Sequence, residues 1–560
     1  MAQQSNTTHG TALLRSRGMR KVIDVARAAV VAGCLLWHAG VLGQGAADLI
    51  RTQVEELRVG GRLEALGQPI ASRDVLPRVY ENREFAPAWA SLRQVDELLK
   101  MVDESYLEGL DPSDYHSASL RAFRATVTDL GALAANDRAA FDILLTDSII
   151  RLGYHLRYGK VDPSALDPNW NQSRGLVGED AAVTIQKAID SPSLHEFAAR
   201  VIPRVFLYER FKTALAQYRA IEANGGWPSV PAGPTLQPGG VDERVPALAA
   251  RLVVTGDLAA PAASYGTQYD EPLAAGVRHF QARHGLSADG AVGPATIAAL
   301  NVPVAARIDQ LRASLERARQ VFYDPESEFL VVNVAGFQLY HVRRGEIVWR
   351  TRVQVGQPYR QTPIFRAEMT YLVVNPTWTV PPTVFRNDIL PAVRRNPAYL
   401  ASRHIDVFDS RGAAVDPATV DWSARNPPYR LVQRPGADNA LGRIKFMFPN
   451  EHSVYLHDTP SRDLFSRDSR AFSSGCIRVE NPFELVAQLL GERGRARLDA
   501  AVASGRTETV FLDKPMPIML LYWTAEVDAA GRVSFFPDVY QRDAAVIAAL
   551  AQPFRAPATL

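Results

Sequence analysis

Near residue 325 the spacing of apolar residues changes period, and one layer of structure cannot satisfy both patterns. From about 50 to 225 the apolar residues recur at helical spacing. Leu144, Leu145, Ile149 and Leu152 fall near one stripe, and Leu207, Phe211, Leu215 and Tyr218 repeat it. Beyond 325 the period is two. Phe329-Leu-Val-Val-Asn-Val and Phe337-Gln-Leu-Tyr-His-Val predict strands separated at Gly336. Glu346-Ile-Val-Trp-Arg-Thr-Arg-Val follows across Arg343-Arg344-Gly345, a hairpin tip, and the runs 370–374, 453–457 and 509–512 continue the pattern. The expectation is a multidomain α+β protein, helical first and β-rich second. Its 560 residues suffice for several cores without a disulfide framework.

Punctuation sets the boundaries. Gly225-Gly-Trp-Pro-Ser-Val-Pro-Ala-Gly-Pro opens a proline- and glycine-rich connection over 226–240, after a helical domain over 48–225. A compact unit follows at 241–303. Val245, Leu248 and Leu252 can share one helix face, and Leu273, Val277 and Phe280 a second. Gly285 should stop that second helix, Asp289-Gly290 should turn, and Pro294 suits the start of a third helix carrying Ile297 and Leu300. A charged helical linker spans 304–324 and the β-rich domain 325–515. A helical, proline-punctuated insertion at 383–430 is a lid or a decoration, and 516–560 forms an extension.

The first 47 residues predict export. Arg15, Arg17, Arg20 and Lys21 precede an apolar run from Ala28 to Gly43, and small residues follow at Gly45, Ala46 and Ala47. The run is shorter than the ~20 residues of a comfortable span, so a cleaved signal is preferred to an uncleaved membrane anchor. A cytosolic helix, which Asp24 and Arg27 would suit, and a lipoprotein box at Val31-Ala32-Gly33-Cys34 are weaker readings. Any membrane contact should therefore pass through this segment alone.

Charge and cysteines narrow the chemistry. A net charge of +2 argues against nucleic-acid binding, and two cysteines cannot build a multi-thiolate metal cluster. Once a signal carrying Cys34 is removed, Cys476 is the one thiol left. Its neighbours Ser473, Ser474 and Gly475 are small enough to let backbone amides approach a carbonyl as an oxyanion hole. A thiol needs a base, and His457 ends a strand on which Tyr455 points the same way. The bland alternative is a buried thiol and an unrelated surface histidine. Asn481-Pro482 predicts a helix start, with Glu484 placed to cap it.

Tyr455-Leu-His-Asp-Thr-Pro and Arg470-Ala-Phe-Ser-Ser-Gly-Cys-Ile-Arg-Val resemble the signature of the L,D-transpeptidase catalytic domain, a β-rich cysteine-nucleophile fold acting on bacterial peptidoglycan. Gln433-Arg-Pro-Gly, Asn439-Ala-Leu-Gly-Arg-Ile-Lys-Phe, Pro449-Asn450 and Asn375-Pro-Thr-Trp-Thr-Val-Pro-Pro extend the resemblance. Separately, Phe280-Gln, Gly285-Leu, Asp289-Gly290 and Gly293-Pro294 resemble a three-helix peptidoglycan-binding domain, and the whole order resembles the large L,D-transpeptidases with a helical scaffold. Many family members have histidine before the Gly-Cys pair where this chain has Ser474, which throws the base role onto His457.

The resemblance implies that Cys476 attacks the diaminopimelate carbonyl of a tetrapeptide stem, releases D-alanine, and passes the acyl group to a second diaminopimelate as a 3→3 cross-link. Water as acceptor would make the same site an L,D-carboxypeptidase. Arg478 would bind a stem carboxylate or merely salt-bridge locally, Asp458 would orient His457 or merely open a turn, and Tyr455, Asn439 and Trp378 would line the cleft or simply belong to the β core and its rim. No cofactor or metal is required. The partners would be peptidoglycan stem peptides and glycan in the periplasm, with no nucleic acid, and β-lactams of the carbapenem type would inhibit. Two rivals are a metallo-amidase built on His404, His452, His457 and Asp458, and a non-catalytic wall-binding scaffold. No His-Glu-x-x-His pattern supports the first.

Overall fold

The computed structural model describes residues 45–167, 180–203, 206–259, 265–321 and 326–555. The predicted export segment lies outside them, except for its last three residues. No helix among the described residues is long and apolar enough to cross a membrane.

The first domain is helical and is built around α1 (Ala135–Tyr158). Its leucine stripe is only part of a helix buried all round, with Phe141, Ile143 and Ile150 inside as well. Burial on every side is possible because the polar residues are satisfied internally. Asp142 accepts from the Tyr80 hydroxyl at 2.8 Å and the Ala88 N–H at 2.7 Å, and Asp147 accepts from the Ser72 N–H at 2.9 Å and meets His116. A second long helix, α2 (Phe206–Ala223), leads out of this domain.

The compact unit forms α3 (Val245–Val254), α4 (Glu271–Arg283) and α5 (Pro294–Leu300) around Leu248, Leu252, Leu273, Val277, Phe280 and Leu300. Gly285 terminates α4 at φ +68°, a conformation open to glycine.

The stretch expected as a linker is α6 (Val304–Val321), and it is a core element. Its charges pair inside rather than facing water. Arg319 reaches Glu316 at 2.7 Å and the Tyr208 hydroxyl at 2.8 Å, both buried. Together α2 and α6 cover one face of the β domain through Leu311, Leu315, Phe211 and Val331.

That domain comprises β1 (Glu328–Asn333), β2 (Gln338–Arg343), β3 (Glu346–Gly356) and β4 (Phe365–Val374) before the insertion. After it come β9 (Ile444–Met447), β10 (Leu456–His457), β11 (Ala471–Ser473), β12 (Ile477–Val479), helix α7 (Pro482–Ala503) and β13 (Glu508–Leu521). The strands run in the order β11-β3-β12-β10-β9-β4-β13-β1-β2. Because β2 also pairs with β3, the nine-stranded sheet closes on itself. The hairpin tip carries Arg344 at φ +52° and Gly345 at φ +81°, both left-handed as a tight two-residue turn requires. Glu484 does not cap α7: it accepts from the Trp349 indole N–H at 3.1 Å.

Two further expectations change. The insertion holds strands as well as helices: β5 (Trp378–Thr379) just before it, β6 (Ile405–Phe408) and β7 (Ala414–Val415) within it, and β8 (Arg430–Gln433) at its end join in the order β5-β8-β6-β7. They share a small core with the insertion's helices through Val384, Ile389, Val393, Leu400 and Leu431. The boundary at 515 falls inside β13, which is a central strand. Beyond it, β14 (Ala525–Val527), β15 (Val533–Phe535) and α8 (Asp543–Leu550) pack back on both neighbours. Lys160 donates to the Leu550 carbonyl at 2.8 Å, and Arg317 pairs with Asp543 at 2.5 Å.

Candidate active site

Strand register assembles the site. β10 lies parallel to β12, with Leu456 opposite Ile477 and His457 opposite Arg478. Leu456, Ile477 and Val479 point into the core. Alternation therefore sends Tyr455, His457, Cys476 and Arg478 to the other face. On the far side of β10, Lys445 of β9 sits opposite His457 and joins them there. Ile444 and Phe446 flank it in the core.

The imidazole is buried and held by the backbone. His457 Nδ1 lies 2.5 Å from the Asp458 carbonyl oxygen. A carbonyl can only accept, so Nδ1 carries the proton and Nε2 presents its lone pair. Burial drives the pKa of His457 down to about 3. The nearby Arg478 and Lys445 charges add to that, while the bond to Asp458 opposes it. The ring is neutral across the physiological range.

The half-buried Cys476 thiol is held near the Ser453 carbonyl, 3.8 Å away, and Ser453 itself sits at φ +55°. Burial pushes the thiol pKa up. The Tyr455 N–H and phenol, both facing the sulfur, and the charges of Lys445 and Arg478 pull against it without winning. Thiol and imidazole, on the same face of the sheet, are thus both neutral at rest. Alkylation of Cys476 by uncharged iodoacetamide should rise tenfold per pH unit and still be climbing above pH ~9, past the ~8.5 of a free thiol. A plateau already reached at pH 7 would reveal a preformed thiolate.

The nucleophile loop is braced by side chains. Ser473 Oγ donates to the Cys476 carbonyl at 2.5 Å and accepts the Gly475 N–H at 3.1 Å. The Gly475 amide, expected to face an oxyanion, is therefore engaged inside the loop. Gly475 stands at φ +115°, where a side chain would be strained. Ser474 Oγ accepts from Arg360 at 2.9 Å, and the same guanidinium pairs with Asp388 of the insertion at 2.7 Å.

The remaining candidates divide. Arg478 donates to Gln354 Oε1 at 3.1 Å, and its buried Nε has no partner. Lys445 Nζ sits 3.8 Å from the centroid of the Tyr455 ring, which meets the His457 ring edge-on at 5.7 Å. The Asp458 carboxylate accepts the Arg443 N–H at 2.9 Å and pairs with Arg462 at 2.7 Å, so its carbonyl, not its side chain, orients His457. Asn439 is buried elsewhere, tying the Pro376 and Arg434 carbonyls at 3.1 and 2.8 Å. Trp378 packs against the insertion's core. His452 rests against Phe365, and no group of three His, Cys, Asp or Glu among the described residues could hold a metal ion. Sequence reasoning missed Lys445 and Arg360. For Lys445 the signal was there: a cation between two core positions of a strand must face the opposite side.

Comparison with known proteins identifies the domains. Residues 74–215 match the family described as "Scaffold domain", 242–300 "Putative peptidoglycan binding domain", and 327–512 "L,D-transpeptidase catalytic domain". A Haemophilus influenzae protein named "Putative L,D-transpeptidase" is 37% identical over 218 residues, covering 38% of this chain and 44% of its own length. The match thus spans less than half of that relative. Among solved structures, an L,D-transpeptidase from Xylanimonas cellulosilytica is 16% identical, covering 52% of this chain and 99% of its own, with a TM-score of 0.17. L,D-transpeptidase 1 of Mycobacterium tuberculosis is 14% identical over 35% of this chain and 61% of its own, at TM-score 0.14. Assignment of the catalytic domain rests on the sequence match over 327–512.

Proposed function

We propose that this chain, which carries an L,D-transpeptidase catalytic domain beside a peptidoglycan-binding unit, forms 3→3 cross-links between diaminopimelate residues through a Cys476 thioester. One observation supports this above the others: strand register puts Cys476, His457 and Tyr455 on one face, with His457 Nε2 left as a proton acceptor.

The steps follow from the resting protonation states. As the sulfur attacks the carbonyl of a tetrapeptide's third residue, its proton passes to His457 Nε2. The new imidazolium, unwelcome in a buried site already near two cations, is a strong acid. It returns the proton to the leaving amine, and D-alanine departs as the thioester forms. The side-chain amine of a second diaminopimelate then attacks the thioester, His457 again accepting its proton, and the thiol is regenerated. Amides of Ser474 and Cys476, with the Tyr455 N–H facing the sulfur, would hold the oxyanion. Lys445 and Arg478 would receive a stem carboxylate. Half-burying two cations that have no carboxylate partner among the described residues is costly, and a bound anion would offset it.

The wall-binding unit would keep the catalytic face near its polymer. The peptidoglycan-associated domains support a location outside the cytoplasm, and on this reading the compartment would be the periplasm. Incubation with purified tetrapeptide muropeptides, followed by mass analysis, tests the reading. Expected products are dimers one D-alanine lighter than two stems, linked through diaminopimelate. Tripeptides alone would mean that water is the acceptor and the site is an L,D-carboxypeptidase. Formation of neither product would refute acyl transfer.

A further inference from the structure

The segment beyond the catalytic-domain match reaches back beneath the nucleophile. Tyr540, buried in the turn between β15 and α8, donates its hydroxyl to the Gly356 carbonyl at 2.6 Å and accepts the Thr362 N–H at 3.1 Å. Thr362, fully buried, accepts the Gly356 N–H at 2.9 Å on the same Oγ1 that donates to the Gly475 carbonyl at 2.8 Å. Four hydrogen bonds through Tyr540, Gly356 and Thr362 thus connect the C-terminal segment to the nucleophile loop. The approach is tight, since a Cβ on Gly356 would come within 2.1 Å of the Arg360 carbonyl oxygen.

The chain ends on a consequential atom. The Gly475 carbonyl belongs to the same planar peptide as the Cys476 N–H, and a trans peptide points the two in opposite directions. Fixing the carbonyl toward Thr362 therefore aims the Cys476 N–H away from it. Tyr540 is itself held: its N–H bonds the Tyr522 hydroxyl at 2.9 Å, the two rings stack at 5.6 Å, and Tyr522 donates to Asp538 at 2.5 Å.

We infer that Tyr540, acting through Thr362, is a positioning residue that orients the Cys476 amide as an oxyanion donor. The inference rests on the acyl-transfer reading above. It also gives the C-terminal segment a part in catalysis while leaving thiol ionisation untouched.

The test uses the full chain and two probes. Tyr540→Phe keeps the ring stack and deletes the hydroxyl; Thr362→Val deletes the other link, and Thr362→Ser retains it. Deleting an oxyanion donor outright costs ~10²–10³-fold, so misaiming one should slow acylation by a carbapenem about tenfold. Tyr540→Phe and Thr362→Val should show this, Thr362→Ser should not, and iodoacetamide should alkylate Cys476 at the parent rate in all three. Hydrogen exchange of the peptide spanning 472–477 should rise in the first two alone. Acylation within twofold of the parent in both would overturn the inference, as would alkylation falling in parallel. If the parent itself resists acylation, the acyl-transfer reading has failed, and unchanged exchange at 472–477 would still reject the clamp.

Discussion

Cys476→Ala should release no D-alanine from a tetrapeptide stem and form no cross-link, a loss of at least ~10³-fold, while the protein stays folded. The loss should be this large because Cys476 is the one thiol among the described residues. The phenol of half-buried Tyr455 is no substitute, because its pKa is driven up by desolvation and by the adjacent sulfur. Folding should survive because the thiol contributes little to the core: it is half-buried, and its contact with the Ser453 carbonyl is a weak 3.8 Å bond. Release of D-alanine, read against an unchanged thermal midpoint, checks both halves. Turnover persisting in the variant would assign the chemistry elsewhere. Binding to wall fragments that persists without any turnover in the parent would favour the non-catalytic scaffold.

The second large effect concerns His457→Gln. Glutamine can still donate an amide N–H to the Asp458 carbonyl but cannot take the thiol proton. Loss of general base catalysis should cost ~10²–10⁴-fold in kcat. The change should separate from thiol reactivity. Because burial holds the pKa of His457 at about 3, the imidazole is neutral at rest and lends no positive charge to the sulfur. Alkylation of Cys476 at pH 7 should therefore stay within a few-fold of the parent while turnover collapses. A parallel collapse of both rates would mean that an imidazolium had been activating the thiolate all along.

Much of this was legible in the residues. The apolar runs located the long strands, the first two of which are buried on both faces, and the motif around Cys476 and His457 pointed to the catalytic domain that the family match gives. Register was not legible, and register is what built the site. Lys445 enters because β9 pairs with β10 at His457, a pairing across a sharp turn at Ser453 that no local pattern encodes. Asn439 and Trp378 sat in the right motifs, yet their side chains hold the insertion together. The strands of that insertion escaped notice because none exceeds four residues, too few to display alternation. The buried α6 read as a linker because its charges suggested water, whereas they satisfy one another and Tyr208 inside the protein. The bracing of the nucleophile loop by Thr362 and Tyr540 joins residues far apart in sequence, and only the closed sheet brings them together.

The central claim is that Cys476 is an acylating nucleophile, and intact-mass analysis after incubation with a carbapenem tests it most directly. The account predicts a single drug adduct, mapped by peptide digestion to Cys476 and absent from Cys476→Ala. A parent protein that stays unmodified after prolonged exposure, or that carries the adduct on another residue, would contradict it.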